Sequence, residues 1–104
     1  MAQFDVYLNP IPAARRAYPY VVAMQSDITL DAREQIVAPL APHGSMLGVS
    51  GHLTPRVEVN GSDQIVFIPR LTPIRSRDLA PRIGSIASAR SELLAAIDYL
   101  FFGV

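Results

Sequence analysis

Alternation of apolar and polar residues predicts several short β-strands in the first part of the chain. Residues 4–8 alternate and are followed by Asn9-Pro10, which ends the predicted strand. Residues 20–25 are almost continuously apolar, which is typical of a buried central strand. Residues 35–38 form a shorter candidate that Pro39 is expected to stop, because proline has no N–H to donate.

The clearest local signal is a β-hairpin in the middle of the chain. Residues 56–59 and 64–68 alternate on either side of residues 60–63, which begin with Asn60-Gly61. Asparagine and glycine both accept the positive φ that a tight hairpin turn requires. The sequence therefore predicts a hairpin here. Before it lies a surface loop over residues 41–54, and after it an edge strand over residues 71–74.

A helical pattern occupies the last fifth of the sequence. Ser85 or Ser88 can cap its N-terminus, and Glu92 lies near the positive end of the helix dipole. Gly103 is suited to the left-handed position that ends many helices. Short antiparallel strands followed by this helix predict an α+β fold, mainly antiparallel β, in a single domain over residues 1–104.

Phe102 lies on the wrong side of this helix for a core residue. At about 100° per residue the apolar positions form one stripe, and Phe102 falls about 180° away from it, near Asp98. Local capping and chance exposure remain open as explanations, because single exposed apolar residues are common. The predicted stripe consists of Ile86, Leu93, Ile97 and Leu100.

Composition limits the classes of function. Half of the residues are hydrophobic and 17% are charged, which favours burial of some surface against a partner or a second copy. Nine basic residues, all arginine, balance nine acidic ones, so direct binding of nucleic acid is not favoured. There is no signal-peptide pattern and no apolar run of about 18 residues, and we therefore expect a cytoplasmic protein without a membrane partner.

No constellation of residues predicts catalysis, a metal or a cofactor. The sequence has no cysteine, and His43 and His52 are nine residues apart in the predicted loop without a carboxylate cluster. No nucleophile-elbow motif and no phosphate-binding loop is present. The charged segment Arg75-Ser76-Arg77-Asp78 is interpreted as a solvated turn. We expect a protein that is not an enzyme.

Four segments together resemble the CcdB family of toxins from toxin–antitoxin modules. They are residues 3–7 (QFDVY), 25–28 (QSDI), 36–40 (IVAPL) and 101–104 (FFGV), and their order and spacing match that family along essentially the whole chain. The resemblance implies an SH3-like barrel with a small extra sheet and a C-terminal helix, assembled as a two-fold homodimer.

The resemblance also implies a mechanism and partners. The paired helix ends of the dimer would insert into the DNA-cleaving subunit of DNA gyrase and trap the gyrase–DNA cleavage complex, which makes the protein a topoisomerase poison. A CcdA-like antitoxin would wrap the toxin, release gyrase and help to repress transcription of the operon. The protein would thus meet DNA only indirectly, through the antitoxin or gyrase.

The gyrase-binding residues of the family map onto seven positions of this sequence. Three of them differ from the family: Phe102 replaces a tryptophan that stacks on a gyrase arginine, Asp98 replaces asparagine and Thr29 replaces isoleucine. The mapped positions are Ile28, Thr29, Asp98, Phe101, Phe102, Gly103 and Val104.

Two alternatives follow from the same sequence. The three differences are consistent with a non-toxic or retargeted homologue, a protein-binding module that still recognises an antitoxin. The related MazF/Kid group of endoribonucleases shares the barrel, but it uses a basic groove that this neutral sequence does not suggest.

Overall fold

Seven β-strands precede one α-helix in the computed structural model, which describes residues 2–26, 33–45 and 51–103. Every strand pairing is antiparallel, so the predicted α+β class, mainly antiparallel with a C-terminal helix, is confirmed. The strands are β1 (Asp5–Leu8), β2 (Tyr20–Ala23), β3 (Glu34–Pro42), β4 (Arg56–Val59), β5 (Ser62–Val66), β6 (Thr72–Arg75) and β7 (Arg82–Ser85), and the helix is α1 (Arg90–Phe102).

Strand β3 organises the sheet, which has the order β4-β5-β3-β2-β1-β7. One edge of β3 carries two partners: its first half, Glu34 to Val37, pairs with β6, and its last residues, Leu40 to Pro42, pair with β5. The other edge pairs with β2. The result is an antiparallel half-barrel, with the β4–β5 hairpin at one end of the strand order of its single seven-stranded sheet.

The prediction that Pro39 ends a short strand is wrong, because β3 continues through it to Pro42. Neighbouring residues of a strand direct their backbone groups to opposite sides. The carbonyl of Ile36 accepts the Met24 N–H at 2.9 Å on the β2 side, so Pro39 faces the other edge, where its carbonyl accepts the Phe67 N–H at 2.9 Å. Position 39 lies between Val37, the last residue of β3 that pairs with β6, and Leu40, the first that pairs with β5. Because no strand pairs with β3 at this point on that edge, the absence of an N–H on Pro39 removes no hydrogen bond from the sheet.

The sequence did not predict strand β7, which pairs with β1 at the end of the sheet. The β4–β5 hairpin reaches this strand, since the Asn60 side-chain amide donates a hydrogen bond to the Ile83 carbonyl at 3.0 Å. The hairpin itself is confirmed. Its turn is only Asn60-Gly61, with φ of 50° and 83°, and Ser62 and Asp63 already belong to β5.

The turn leads to a stability prediction. We expect Gly61→Ala to lower the free energy of unfolding by about 1–2 kcal/mol, because alanine is strained at positive φ. A Cβ at Gly61 would meet no atom within 4 Å, so the backbone conformation alone sets the cost. Urea denaturation measures it. Gly44→Ala is the matched control: its Cβ is equally free and its φ lies outside the left-handed region. An equal loss in both variants would contradict this explanation.

Helix α1 packs one face onto the sheet, as the periodicity predicts. Leu93 and Ala96 are buried in the main core cluster, while Ile97 and Leu100 are partly buried against it. The helix begins at Arg90, after a 3₁₀ turn at Ala87–Ala89, and no side chain caps it. Its N-cap position, Ala89, lies one residue after Ser88 and four after Ser85, the two predicted caps. Of the two predicted caps, Ser85 accepts the Ala87 N–H at 3.2 Å, which stabilises the turn before the helix.

Candidate functional site

The end of helix α1 carries large aromatic side chains that the fold does not bury. Phe101 is 63% exposed and Phe102 is 75% exposed, whereas Leu93, about 180° round the helix from Phe102, is completely buried. Tyr99, one turn before Phe102, is 42% exposed. We call Tyr99, Phe101 and Phe102 the terminal aromatic surface. Exposed aromatic rings within the last turn of a helix are typical of a surface that contacts another protein.

Gly103 ends the helix in the conformation that the sequence predicts. Its φ and ψ are 73° and 17°, in the left-handed region, and its N–H donates to the Tyr99 carbonyl at 3.0 Å. Glycine adopts this conformation without steric cost. The cap ends the helix directly after Phe102, so both phenylalanines lie in the last helical turn.

The structure describes four of the seven mapped residues. Asp98 is exposed and, three and four residues before Phe101 and Phe102, it shares their side of the helix. Gly103 follows at the cap, so these four residues are brought together. The remaining three, Ile28, Thr29 and Val104, lie outside the described residues.

Sequence reasoning missed one component of this surface. The His52 ring stacks on the Tyr99 ring, with centroids 4.7 Å apart and an interplanar angle of 18°. The contact joins the segment before β4 to the exposed side of α1. Nothing in the local sequence indicates it, because the two residues are far apart in the chain. The only hint in the sequence that Tyr99 belongs to a contact surface is its position close to Phe101 and Phe102.

Local contacts shift the pKa values of two groups among the described residues. The Arg56 guanidinium donates to Asp63 at 2.6 Å, which lowers the pKa of that carboxyl group, and the pair joins β4 to β5. Burial, followed by the nearby charge of Asp5, raises the pKa of Tyr7. Within residues 2–26, 33–45 and 51–103, no three His, Cys, Asp or Glu side chains are grouped so that they could hold a metal ion.

Comparison with known protein families decides the assignment. The sequence matches the family described as CcdB protein over residues 3–103. The chain belongs to the CcdB family. None of the curated proteins compared matches it. CcdB family proteins are non-enzymatic gyrase poisons, in agreement with the prediction of a protein that is not an enzyme.

Membership of the CcdB family implies a toxin with an antitoxin and gyrase as the general partners of its class. Phe101 and Phe102 of the terminal aromatic surface lie in the C-terminal segment, residues 101–104, that resembles the CcdB family. In the described part of the chain, no helix is both long enough and apolar enough to cross a membrane.

Proposed function

We propose that this CcdB family member is the toxin of a type II toxin–antitoxin module and binds the DNA-cleaving subunit of DNA gyrase through its terminal aromatic surface. The observation that carries the proposal is the exposure of Phe101 and Phe102 at the end of α1. Aromatic side chains that desolvate on binding supply most of the energy of many protein interfaces. The protein would act in the cytoplasm, where gyrase is found.

The proposed contact combines Phe101 and Phe102 of the terminal aromatic surface with the other mapped residues. Asp98, Phe101, Phe102 and Gly103 form its described part, and Ile28, Thr29 and Val104 would complete it. As a homodimer the protein would present two such surfaces side by side, and one antitoxin would bind the toxin and release gyrase. Bound toxin would hold gyrase with its DNA cleaved, without any chemistry of its own.

Induced expression tests the proposal in cells. We expect growth to stop and the DNA-damage response to be induced, and gyrase to co-purify with the tagged protein. Co-expression with a CcdA-like antitoxin should restore growth. Normal growth in the presence of folded, dimeric protein would contradict the toxin assignment.

A second candidate function rests on Phe102, which stands where the family has tryptophan. A phenylalanine ring has less area and a weaker quadrupole than an indole, so its attraction to an arginine of gyrase is weaker. A CcdB homologue with a weakened anchor could retain antitoxin binding without poisoning gyrase. The chain would then be a binding module rather than a toxin.

The variant Phe102→Trp separates the two candidates. We expect it to tighten binding to the DNA-cleaving subunit of gyrase by about 0.5–2 kcal/mol, or roughly 2- to 30-fold, because tryptophan is the best partner for a cation. Isothermal titration calorimetry measures the change. Toxicity that appears only in Phe102→Trp would support the binding-module candidate, and toxicity of the unmodified protein would support the toxin.

A further inference from the structure

The turn of the β4–β5 hairpin carries the dipeptide Asn60-Gly61, whose side chain and backbone can react with each other. An asparagine followed by glycine is chemically labile, because glycine has no Cβ to hinder the approach of its backbone nitrogen to the asparagine amide carbon. Both residues are exposed. The sequence contains one other asparagine, Asn9, and it precedes Pro10. Because proline has no N–H, the same reaction is closed to Asn9.

The Asn60 side chain is held against strand β7. Its Nδ2 donates a hydrogen bond to the Ile83 carbonyl at 3.0 Å. The amide also lies close to Gly84, where an added Cβ would be 3.3 Å from Oδ1 and 3.9 Å from Cγ. The glycine at position 84 therefore leaves the space that the Asn60 amide occupies on the backbone of β7.

This contact joins the two ends of the sheet. In the strand order β4-β5-β3-β2-β1-β7, the hairpin lies at one end and β7 at the other. The Asn60 amide bridges them because its nitrogen is a hydrogen-bond donor. An aspartate at this position could not do so, since an ionised carboxylate only accepts hydrogen bonds.

We propose that Asn60 is a site of spontaneous deamidation, masked in the folded protein by its contacts with Ile83 and Gly84, and that deamidation releases the hairpin from β7. The Gly61 nitrogen loses its proton to solvent and forms a bond to the Asn60 Cγ, and the Cγ–Nδ2 bond breaks as ammonia leaves. Water then opens the succinimide ring at either carbonyl, which gives aspartate or isoaspartate. The reaction consumes one water molecule, releases one ammonia and involves no redox change.

The structure explains why the site is masked. The nitrogen that leaves, Nδ2, is the atom that donates to the Ile83 carbonyl, so the reaction has to break this hydrogen bond. The pairing of Val59 with Ser62 holds the ends of the turn together. Deamidation therefore proceeds from a locally opened hairpin, and it makes a transient opening permanent. None of these residues belongs to the terminal aromatic surface, so the proposal stands independently of gyrase binding.

Peptide mapping by mass spectrometry during storage in neutral buffer tests the proposal. We expect Asn60 of the unmodified protein to convert about tenfold or more slowly when folded than when unfolded in urea, because the folded state must first open the turn. Asn9 should remain unchanged in both samples, since Pro10 has no N–H. It serves as the internal control.

Two glycine variants test the origin of the masking. Gly84→Ala should raise the rate in the folded protein about threefold or more, because the new Cβ displaces the Asn60 amide from β7. Gly44→Ala, whose Cβ meets no atom within 4 Å, should leave the rate unchanged. In urea all three proteins should react equally fast. Thermal unfolding checks that both variants fold, and the comparison of folded with unfolded protein needs neither variant.

The variant Asn60→Asp reproduces one product and tests the consequence. We expect it to raise the equilibrium constant of unfolding about threefold or more, because the donor is lost and a carboxylate faces the Ile83 carbonyl. Amide hydrogen exchange should become faster in β7. Asn60→Gly also lacks the amide, adds no charge and accepts positive φ, so it should speed exchange in β7 as well.

Three results would overturn the proposal. The first is an Asn60 that stays unchanged in the unfolded chain, which would exclude the modification site. The second is an equal rate in the folded and the unfolded protein, which would exclude masking by the fold. The third is unchanged hydrogen exchange of β7 in Asn60→Asp, which would show that the hairpin and β7 stay joined after deamidation.

Discussion

We expect Phe102→Ala to weaken binding to the DNA-cleaving subunit of gyrase by about 2–4 kcal/mol, or roughly 30- to 1,000-fold, and to abolish growth arrest. The Phe102 side chain is three-quarters exposed, so its contacts are available to a partner and contribute little to the fold. The free energy of unfolding should therefore change by no more than about 0.5 kcal/mol. Calorimetric titration of that gyrase subunit with the variant measures the first effect, and urea denaturation measures the second.

Ile11→Ala is the matched control for this prediction. Ile11 is 43% exposed in the turn after β1, and it lies outside the proposed gyrase-binding residues. Its truncation should leave gyrase affinity and growth arrest unchanged. An equal loss of gyrase affinity in Ile11→Ala and Phe102→Ala would contradict the proposal that gyrase binds the terminal aromatic surface.

In contrast to Phe102→Ala, Leu93→Ala should lower the stability of the fold rather than the affinity for gyrase. Leu93 is completely buried in the core between α1 and the sheet, and truncating a buried leucine costs about 2–5 kcal/mol through lost burial and the cavity left behind. Domains of this kind are stable by only about 5–15 kcal/mol, so a large part of the stability is lost. We expect a lower urea midpoint and weaker toxicity in cells, because less folded protein is present.

The neighbouring Leu94→Ala tests whether burial explains the effect. Leu94 is 39% exposed on the same helix, and its truncation should cost less than about 1 kcal/mol. For Leu93→Ala, gyrase affinity per folded molecule should remain close to that of the unmodified protein. A similar loss of stability at both leucines would contradict the packing described for α1.

Features set by one or two neighbouring residues could be predicted from the sequence. Asn60-Gly61 required positive φ and formed the hairpin turn, and Gly103 ended the helix in the left-handed conformation. Features that depend on distant partners could not. Pro39 is tolerated within β3 because the pairing with β6 ends before it and the pairing with β5 begins after it. Residues 82–85 form strand β7 because they pair with the edge of β1.

In the candidate site too, features set by neighbouring residues could be predicted, and contacts between distant residues could not. The helical period alone places Phe102 opposite the apolar stripe, and the structure confirms its exposure. The stacking of His52 on Tyr99 was not predictable, because the fold brings together two residues with no local relation. The sequence around Arg75 and Arg77 predicts no more than a solvated turn, since it does not reveal that Arg33 joins them across β3 and β6.

The most direct test of the central proposal is a DNA cleavage assay with purified gyrase and supercoiled plasmid. We expect the unmodified protein to trap gyrase on cleaved DNA, so that linear plasmid accumulates after denaturation and proteolysis of the enzyme. Phe102→Ala should produce none, and Phe102→Trp should produce more at the same concentration. Absence of linear DNA with the unmodified protein, together with no measurable binding to gyrase, would contradict the proposal.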